Sequence, residues 1–331
     1  MTHPASSPVL GPIGQFVRDR VVRPAGANGG ALAKLRDRAW SRAERLVLKF
    51  GDPLVRFRFG PFDLRLPLSH RLPIYLQQCP HYNRNLGRIG KLLSARYPGL
   101  CAVDVGANVG DSVAVLRARA HFPVLCVEAD PGFFELLRRN AAQFPDVELV
   151  RAYLGEAPSE VPGRLRSAEG TGHVEAADSG QTISIRTLCQ VLADHPRFAA
   201  AKLVKIDTDG YDCKIIRGAA PCLGRSKPVL FFEYDPYFLS RQGDDGLSVF
   251  RTLDDLGYRD LLVYDNLGRL LGPARVGDDA DLSRIHNDYC DGRPGGRYVD
   301  LCAFHSDDAD SFAEALRSET AFFANEGRAG S

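Results

Sequence analysis

From Ala31 to Phe50, apolar residues at Leu32, Leu35, Ala39, Ala43, Leu46, Val47 and Phe50 recur at helical spacing, and Arg36, Arg38, Arg42, Arg45 and Lys49 take the other faces. That pattern predicts an amphipathic helix. Residues 1–30, rich in Pro, Gly and Ala, predict a flexible tail before it. After it the period shortens to two. Leu54–Phe59 (LVRFRF) and Phe62–Leu66 (FDLRL) alternate on either side of Gly60 and Pro61, which predicts a β-hairpin. Pro67 to Arg96 reads as a loop followed by one or two helices. Beyond Gly99, short apolar runs alternate with helical stretches. The runs are Leu100–Val105, Val124–Glu128, Val147–Arg151, Thr182–Arg186, Leu203–Asp207, Val229–Glu233, Leu261–Tyr264 and Tyr298–Phe304; the helices are Ser112–Ala120, Gly132–Gln143 and one from Asp212. This rhythm predicts an α/β fold with a doubly wound, mostly parallel sheet and helices on both faces. The expected organisation is a tail over 1–30, a helical and hairpin extension over 31–98, a main domain over 99–310, and a C-terminal helix and tail over 311–331. Ligands of such sheets bind beyond the carboxyl ends of the strands, at the switch point, so residues there carry most weight.

The first of these strands runs into Val103-Asp104-Val105-Gly106-Ala107-Asn108-Val109-Gly110-Asp111. Small residues let the backbone turn tightly and approach a ligand. A dinucleotide turn uses GxGxxG, because backbone N–H groups must cradle a pyrophosphate. Here the glycines are spaced GxxxG, with Asp104 at the strand end. An acid at that place suits a ligand bearing positive charge, such as S-adenosylmethionine (SAM), which has an ammonium and a sulfonium but no phosphate. Glu128 ends the second strand, where a carboxylate accepts hydrogen bonds from ribose hydroxyls. The cofactor-binding set read from the sequence is Asp104, Gly106, Ala107, Asn108, Gly110, Glu128 and Ala129. An ion pair of Asp104 with Lys205, or helix capping, is the structural alternative for that acid.

These blocks resemble the FkbM-type family of SAM-dependent methyltransferases. The resemblance rests on Val103–Gly110 (VDVGANVG), Val127–Pro131 (VEADP), Thr187-Leu188, Leu203–Gly210 (LVKIDTDG) with Gly218, and Lys227–Glu233 (KPVLFFE). Leu66–Pro73 (LPLSHRLP) and Tyr264–Gly268 (YDNLG) resemble some members less specifically. The chain departs from the pattern at Asp209, where Glu is common, and at Cys189, where an acid often follows the Thr-Leu pair. The resemblance implies a class I methyltransferase (Rossmann-like) sheet, SAM as cofactor, and methyl transfer, most often to the oxygen of a sugar, glycan or natural-product hydroxyl.

A second set of acids stands at adjacent strand ends: Asp207 and Asp209, then Glu233 and Asp235. Leu203, Lys205 and Asp207 share one strand face by alternation. A lysine in an apolar strand needs a carboxylate, so Lys205 is expected to pair with Asp104, Asp207 or Glu233. Hard cations such as Mg²⁺ take carboxylate oxygens, and Asp207, Asp209, Glu233 and Asp235 form a candidate Mg²⁺ set. The metal-free alternative makes one carboxylate, or a histidine, the general base. The catalytic candidates are Asp207, Lys205, Tyr211 and Glu233. His173, His286 and Tyr289 are lesser candidates, and Tyr234 and Tyr237 could line a sugar pocket.

Composition changes this picture little. Among 331 residues, 42 Lys and Arg against 41 Asp and Glu give a net charge of +1. That balance gives no global reason to expect nucleic acid. Residues 1–60 nevertheless hold 11 basic and 4 acidic side chains, so the acid excess lies beyond them. The basic helix reads either as a weak peripheral contact for a membrane surface or acidic partner, or as an ordinary packed surface helix. The eight cysteines form no CxxC pair and predict reduced, mostly buried thiols of a cytoplasmic protein. No apolar run reaches membrane-spanning length. The expected partner is a small-molecule, sugar or glycolipid acceptor. An NAD-dependent dehydrogenase on the same fold, or a non-catalytic binding module, are the alternatives. The sequence assigns no oligomeric state.

Overall fold

The computed structural model describes residues 10–21, 31–162, 164–168, 171–175 and 182–329. Eight strands build the central sheet: β1 (Ala102–Val105), β2 (Val124–Glu128), β3 (Val147–Arg151), β4 (Leu203–Ile206), β5 (Val229–Tyr234), β6 (Tyr258–Asp265), β7 (Leu270–Arg275) and β8 (Val299–His305). Their spatial order is β7-β6-β8-β5-β4-β1-β2-β3. The strands β3, β2, β1, β4 and β5 are parallel, and β8, β6 and β7 continue the sheet antiparallel. The chain moves outward from β1 to β3 and then returns to β4, so the switch point lies between β1 and β4.

Successive residues of the central strands serve opposite layers, as a two-residue period requires. Val103, Val105, Leu125, Val127, Val204, Ile206, Leu230 and Phe232 pack on one side with Leu188, Val191, Ile215 and Phe250. Ala102, Val124, Cys126, Leu203, Val229 and Phe231 pack on the other with Leu86, Ile89, Val113 and Leu137. Both faces are therefore dry, which is why the central strands read as nearly continuous apolar runs. The hairpin Leu54–Phe59/Phe62–Pro67 forms as expected and contributes Leu64 and Leu66 to the second layer.

Several expectations need correction. Residues 10–21, read as flexible tail, form a helix. Arg18 explains why it docks: its side chain is buried and pairs with Glu44 at 3.5 Å on the helix Ala31–Leu48, beside a small core of Val17, Val47, Val55 and Leu68. The remainder of the expected tail lies outside the described residues. Thr182–Arg186 is a strand, but not of the main sheet. It pairs with Tyr153–Leu154 and Ser159–Pro162 in a separate three-stranded sheet. The polar segment before it also contains the hairpin Arg164–Ala168/Thr171–Glu175, where His173 stands opposite Arg166. β7 was not anticipated, because its run contains Gly272 and Pro273; as an edge strand it tolerates both.

The cysteines are not all reduced. Cys189 and Cys222 form a disulfide with Cα atoms 5.5 Å apart, tying the helix Leu188–Asp194 to Ala220–Ser226. Thirty-three residues separate them along the chain, so only the packing of those helices reveals the pair. Among the described residues, no helix is long and apolar enough to cross a membrane.

Candidate active site

The glycine turn after β1 is held by the neighbouring strand. Gly106 and Ala107 both donate N–H bonds to the Val127 carbonyl, at 3.0 and 3.1 Å. Gly106 adopts φ +75°, a left-handed conformation that favours glycine. Glu128 then stitches two loops together. One carboxylate oxygen accepts the Asn108 N–H and the other accepts the Asp130 N–H, each at 2.8 Å. Burial pushes the Glu128 carboxyl up to about 7, and those N–H groups only partly offset it. Asn108 is steadied from its other end by His70, whose Nε2 lies 3.2 Å from the Asn108 side-chain oxygen. His70 Nδ1 accepts the Leu72 N–H at 3.3 Å, so Nε2 carries the proton and donates. Burial lowers the His70 pKa and keeps the ring neutral.

Lys205 on β4 answers Asp104, its direct neighbour across the β1–β4 pairing. Its ammonium lies 3.2 Å from the Asp104 carboxylate, 3.3 Å from Asp207, and donates to the Gly106 carbonyl at 3.1 Å. Burial opposes the charge, but Asp104, Asp207 and Asp111 outweigh it and raise the Lys205 pKa. Lys205 thus fixes Asp207 and the turn; it is a charged strut beneath the site. The next loop is pinned by Asp212, which accepts the Thr208 N–H at 2.9 Å and the Gly210 N–H at 3.0 Å. Burial and the negative Asp207 push Asp212 up to about 7. Asp209 sits between these bonds at φ +51°. Burial, then Asp207 and Asp212, raise its pKa well above the carboxylate range.

Two clefts meet over this loop. The smaller is lined by Glu128, Ala129, Phe133, Tyr153, Ile185 and Tyr211 among others. The larger includes His70, Tyr82, Glu233, Phe238, Tyr298 and Asp300. Gly106, Asn108, Asp207 and Asp209 line both. These four residues are a shared wall between two binding spaces.

The structure redistributes the candidate residues. Gly106, Asn108, Glu128 and Ala129 line the smaller cleft. Asp104 does not line either cleft; it is buried under Lys205, so the ion-pair alternative holds. Ala107 is fully buried and Gly110 caps the helix Asp111–Arg117, so both act on the shape of the turn. Tyr211 walls only the smaller cleft, and Glu233 only the larger. Tyr234 is a core residue whose hydroxyl meets His286 Nδ1 at 2.7 Å, away from both clefts. Tyr237 and Tyr289 line neither. His173 has a described backbone, but its side chain lies outside the described residues.

The Mg²⁺ expectation on Asp207, Asp209, Glu233 and Asp235 is not supported. Among the described residues, no three His, Cys, Asp or Glu side chains converge as a metal-ligand set. The carboxylates have other work. Asp207 is paired with Lys205, and Asp235 accepts the Tyr237 N–H at 2.8 Å as the cap of the helix Pro236–Arg241. Residues the sequence reading passed over include His70, Tyr82, Asp111, Tyr298 and Asp300. For His70 the signal was the LPLSHRLP block around it, and for Asp111 its place at the end of the glycine turn.

Residues 104–259 match the Methyltransferase FkbM domain. That stretch is just under half of the chain. Among solved structures, the chain is similar to methyltransferase FkbM from Methylobacillus flagellatus KT, with 16% identity and a TM-score of 0.37 over 75% of this chain and 54% of that one. It thus spans about half the length of that structure. It is also similar to the Pyrococcus abyssi tRNA (uracil-54, C5)-methyltransferase in complex with S-adenosyl-L-homocysteine, at 16% identity and TM-score 0.36, covering 76% of this chain and 44% of that one. A third is precorrin-6y C5,15-methyltransferase from Geobacter metallireducens GS-15, at 15% identity and TM-score 0.35, covering 66% and 87%. No curated protein matches the chain. The smaller cleft is built wholly from the FkbM domain, whereas the larger also draws His70, Tyr82, Tyr298 and Asp300 from outside it.

The acids of the FkbM domain imply a pH dependence. Burial raises Glu128 and Asp212 to about 7, and burial with the Asp207 charge raises Asp300, just outside the domain, to about 8. A carboxyl whose folded pKa is raised holds its proton more tightly folded than unfolded. Its stabilising contribution is complete below the unfolded pKa and is lost as pH rises through the folded one. The ligand-free protein is therefore expected to melt at a higher temperature at pH 7 than at pH 8.5. Scanning calorimetry at the two values tests this; an equal or lower melting temperature at pH 7 contradicts it.

Proposed function

We propose that this chain is a SAM-dependent methyltransferase that methylates a hydroxyl of a sugar, glycan or natural-product acceptor. The observation that carries the reading is the shared wall: Asp207, Asp209, Gly106 and Asn108 face both the smaller cleft and the larger one. Transfer between two bound molecules requires such adjacency, and alignment of donor and acceptor can supply about 7–11 kcal/mol of the barrier.

The smaller cleft suits SAM. Glu128 keeps lone pairs free beyond its two backbone bonds, as a carboxylate offers about four acceptor sites, and these serve ribose hydroxyls. Phe133, Ile185 and Ile215 supply apolar walls for the adenine, and the acids at the shared wall favour the sulfonium. When bound, SAM supplies a methyl group on a good leaving group, open to in-line attack by an oxygen nucleophile.

This chain's own task is to orient the hydroxyl and remove its proton. Asp209 is the proposed base: it lines both clefts, and its raised pKa places its proton affinity nearer to that of working bases. Lys205 holds Asp207, and Asp212 holds the loop, so Asp209 is presented without freedom of the backbone. Six carboxylates in the larger cleft also disfavour a polyanionic acceptor.

Isothermal titration with S-adenosyl-L-homocysteine (SAH) tests the cofactor assignment. Wild-type protein is expected to bind, and Glu128→Ala to bind about 10²-fold more weakly, since charge-assisted hydrogen bonds contribute about 1.5–3 kcal/mol each. Absent binding by the wild type, or undiminished binding by the variant, contradicts it.

A further inference from the structure

The larger cleft contains a charge arrangement that a neutral sugar does not explain. Asp111, Asp207, Asp209, Glu233, Asp235 and Asp300 all line it. Of the two cations in its wall, Lys205 is already committed to Asp104 and Asp207, and Arg71 stands at the exposed edge. Glu233 and Asp300 are direct cross-strand neighbours on β5 and β8. Like charges placed opposite each other in an antiparallel pair are destabilising. Glu233 is nine-tenths buried, yet it has no hydrogen-bond or ion-pair partner among the described residues. Burial and the neighbouring acids hold Glu233 well above the carboxylate range and Asp300 up to about 8, so the empty pair keeps its protons, and a cation entering the cleft from outside the chain is what would release them. Nearby, Tyr82 and Tyr298 bring aromatic rings to the same cleft, and Tyr82 stacks on Tyr75 with centroids 5.5 Å apart. Aromatic faces add attraction for an ammonium.

We infer that the methyl acceptor is a hydroxylated amine, of the amino-sugar kind, whose ammonium is seated on the Glu233–Asp300 pair beside Tyr82 and Tyr298. The inference rests on the methyltransferase reading and names the substrate class of that site. The ammonium there is a handle and not the nucleophile. Its nitrogen has no lone pair while the acids keep it protonated, so a hydroxyl of the same molecule is the group presented at Asp209. Methyl transfer forms the O–CH₃ bond and breaks the S–CH₃ bond, the hydroxyl proton passes to Asp209, and the sulfonium leaves as a neutral thioether.

The experiment uses the full chain saturated with SAH and titrated by calorimetry with D-glucosamine and N-acetyl-D-glucosamine. N-acetylation removes the positive charge and keeps every hydroxyl. Glucosamine is expected to bind at least 10-fold more tightly, and the double variant Glu233→Gln/Asp300→Asn to lose that preference while still binding SAH. Both substitutions put a neutral amide of the same shape where the free protein holds a protonated acid, so the variant is expected to melt no lower than wild type. Equal binding or no binding of the two sugars, or a preference that survives in the variant, overturns the inference. So does Mg²⁺ binding that the variant loses while glucosamine gives no signal. Failure of wild-type protein to bind SAH at the outset is the separate failure of the methyltransferase reading.

Discussion

Gly106→Ala is expected to abolish measurable SAH binding and to lower the melting temperature by several degrees. A Cβ on Gly106 would stand 1.7 Å from the Asp207 carbonyl oxygen and 2.8 Å from its carbon. Those are backbone atoms and cannot rotate away. The Asp207 N–H bonds to the Val105 carbonyl at 3.1 Å, and the Gly106 N–H to Val127 at 3.0 Å, so neither strand end is free to shift. The residue would also keep φ near +75°, which costs a non-glycine about 1–2 kcal/mol. Overpacking adds about 1–3 kcal/mol. Relief of the clash would part the ends of β1 and β4, where the two clefts meet. Titration with SAH and thermal unfolding together check this. A variant that binds as wild type and melts within about a degree of it would show that the two strand ends do not approach so closely.

Asp209→Asn is expected to reduce kcat by about 10²- to 10⁴-fold, the usual contribution of a positioned base, with SAH affinity within a few-fold of wild type. Asn keeps the shape and removes the proton acceptor. The proton balance gives a second readout. Burial and the charges on Asp207 and Asp212 raise the Asp209 pKa, so in wild type the base is freed as pH rises, and the rate climbs toward alkaline pH. The variant should lose that climb. Substitution also removes a like charge from a crowded set, so the folded protein should be no less stable at pH 8. Single-turnover methyl transfer across a pH series checks the assignment once an acceptor is in hand. A variant with wild-type kcat, or one that retains the pH profile, would move the base to Asp207 or elsewhere.

The smaller cleft was readable residue by residue because it is local. Gly106, Asn108, Glu128 and Ala129 lie at the ends of adjacent strands within a short stretch of chain, and backbone geometry demands small residues and an acid there. Lys205 was readable by a different argument: a lone cation in an apolar strand must find a carboxylate, and it finds Asp104 and Asp207. The same logic shows why Asp104 is a support beneath the cleft and not a ligand in it. The Mg²⁺ set failed for a related reason. Spacing placed four acids at strand ends, but capping and ion pairing by Asp235 and Asp207 could be seen only in three dimensions.

By itself, the sequence determined the alternation of strands and helices, the glycine turn after β1, and the likeness of that stretch to the FkbM domain. Those are properties of short-range pattern: a period of two or near four, a glycine where φ is positive, an acid at the end of a strand. Only the tertiary structure decided the larger cleft. It joined His70 and Tyr82 from before the domain to Tyr298 and Asp300 from after it, set Glu233 against Asp300, and brought Cys189 to Cys222. Those pairs are separated by long stretches of chain. What brings them together is burial of the sheet's two apolar faces, a collective force whose result no local pattern records.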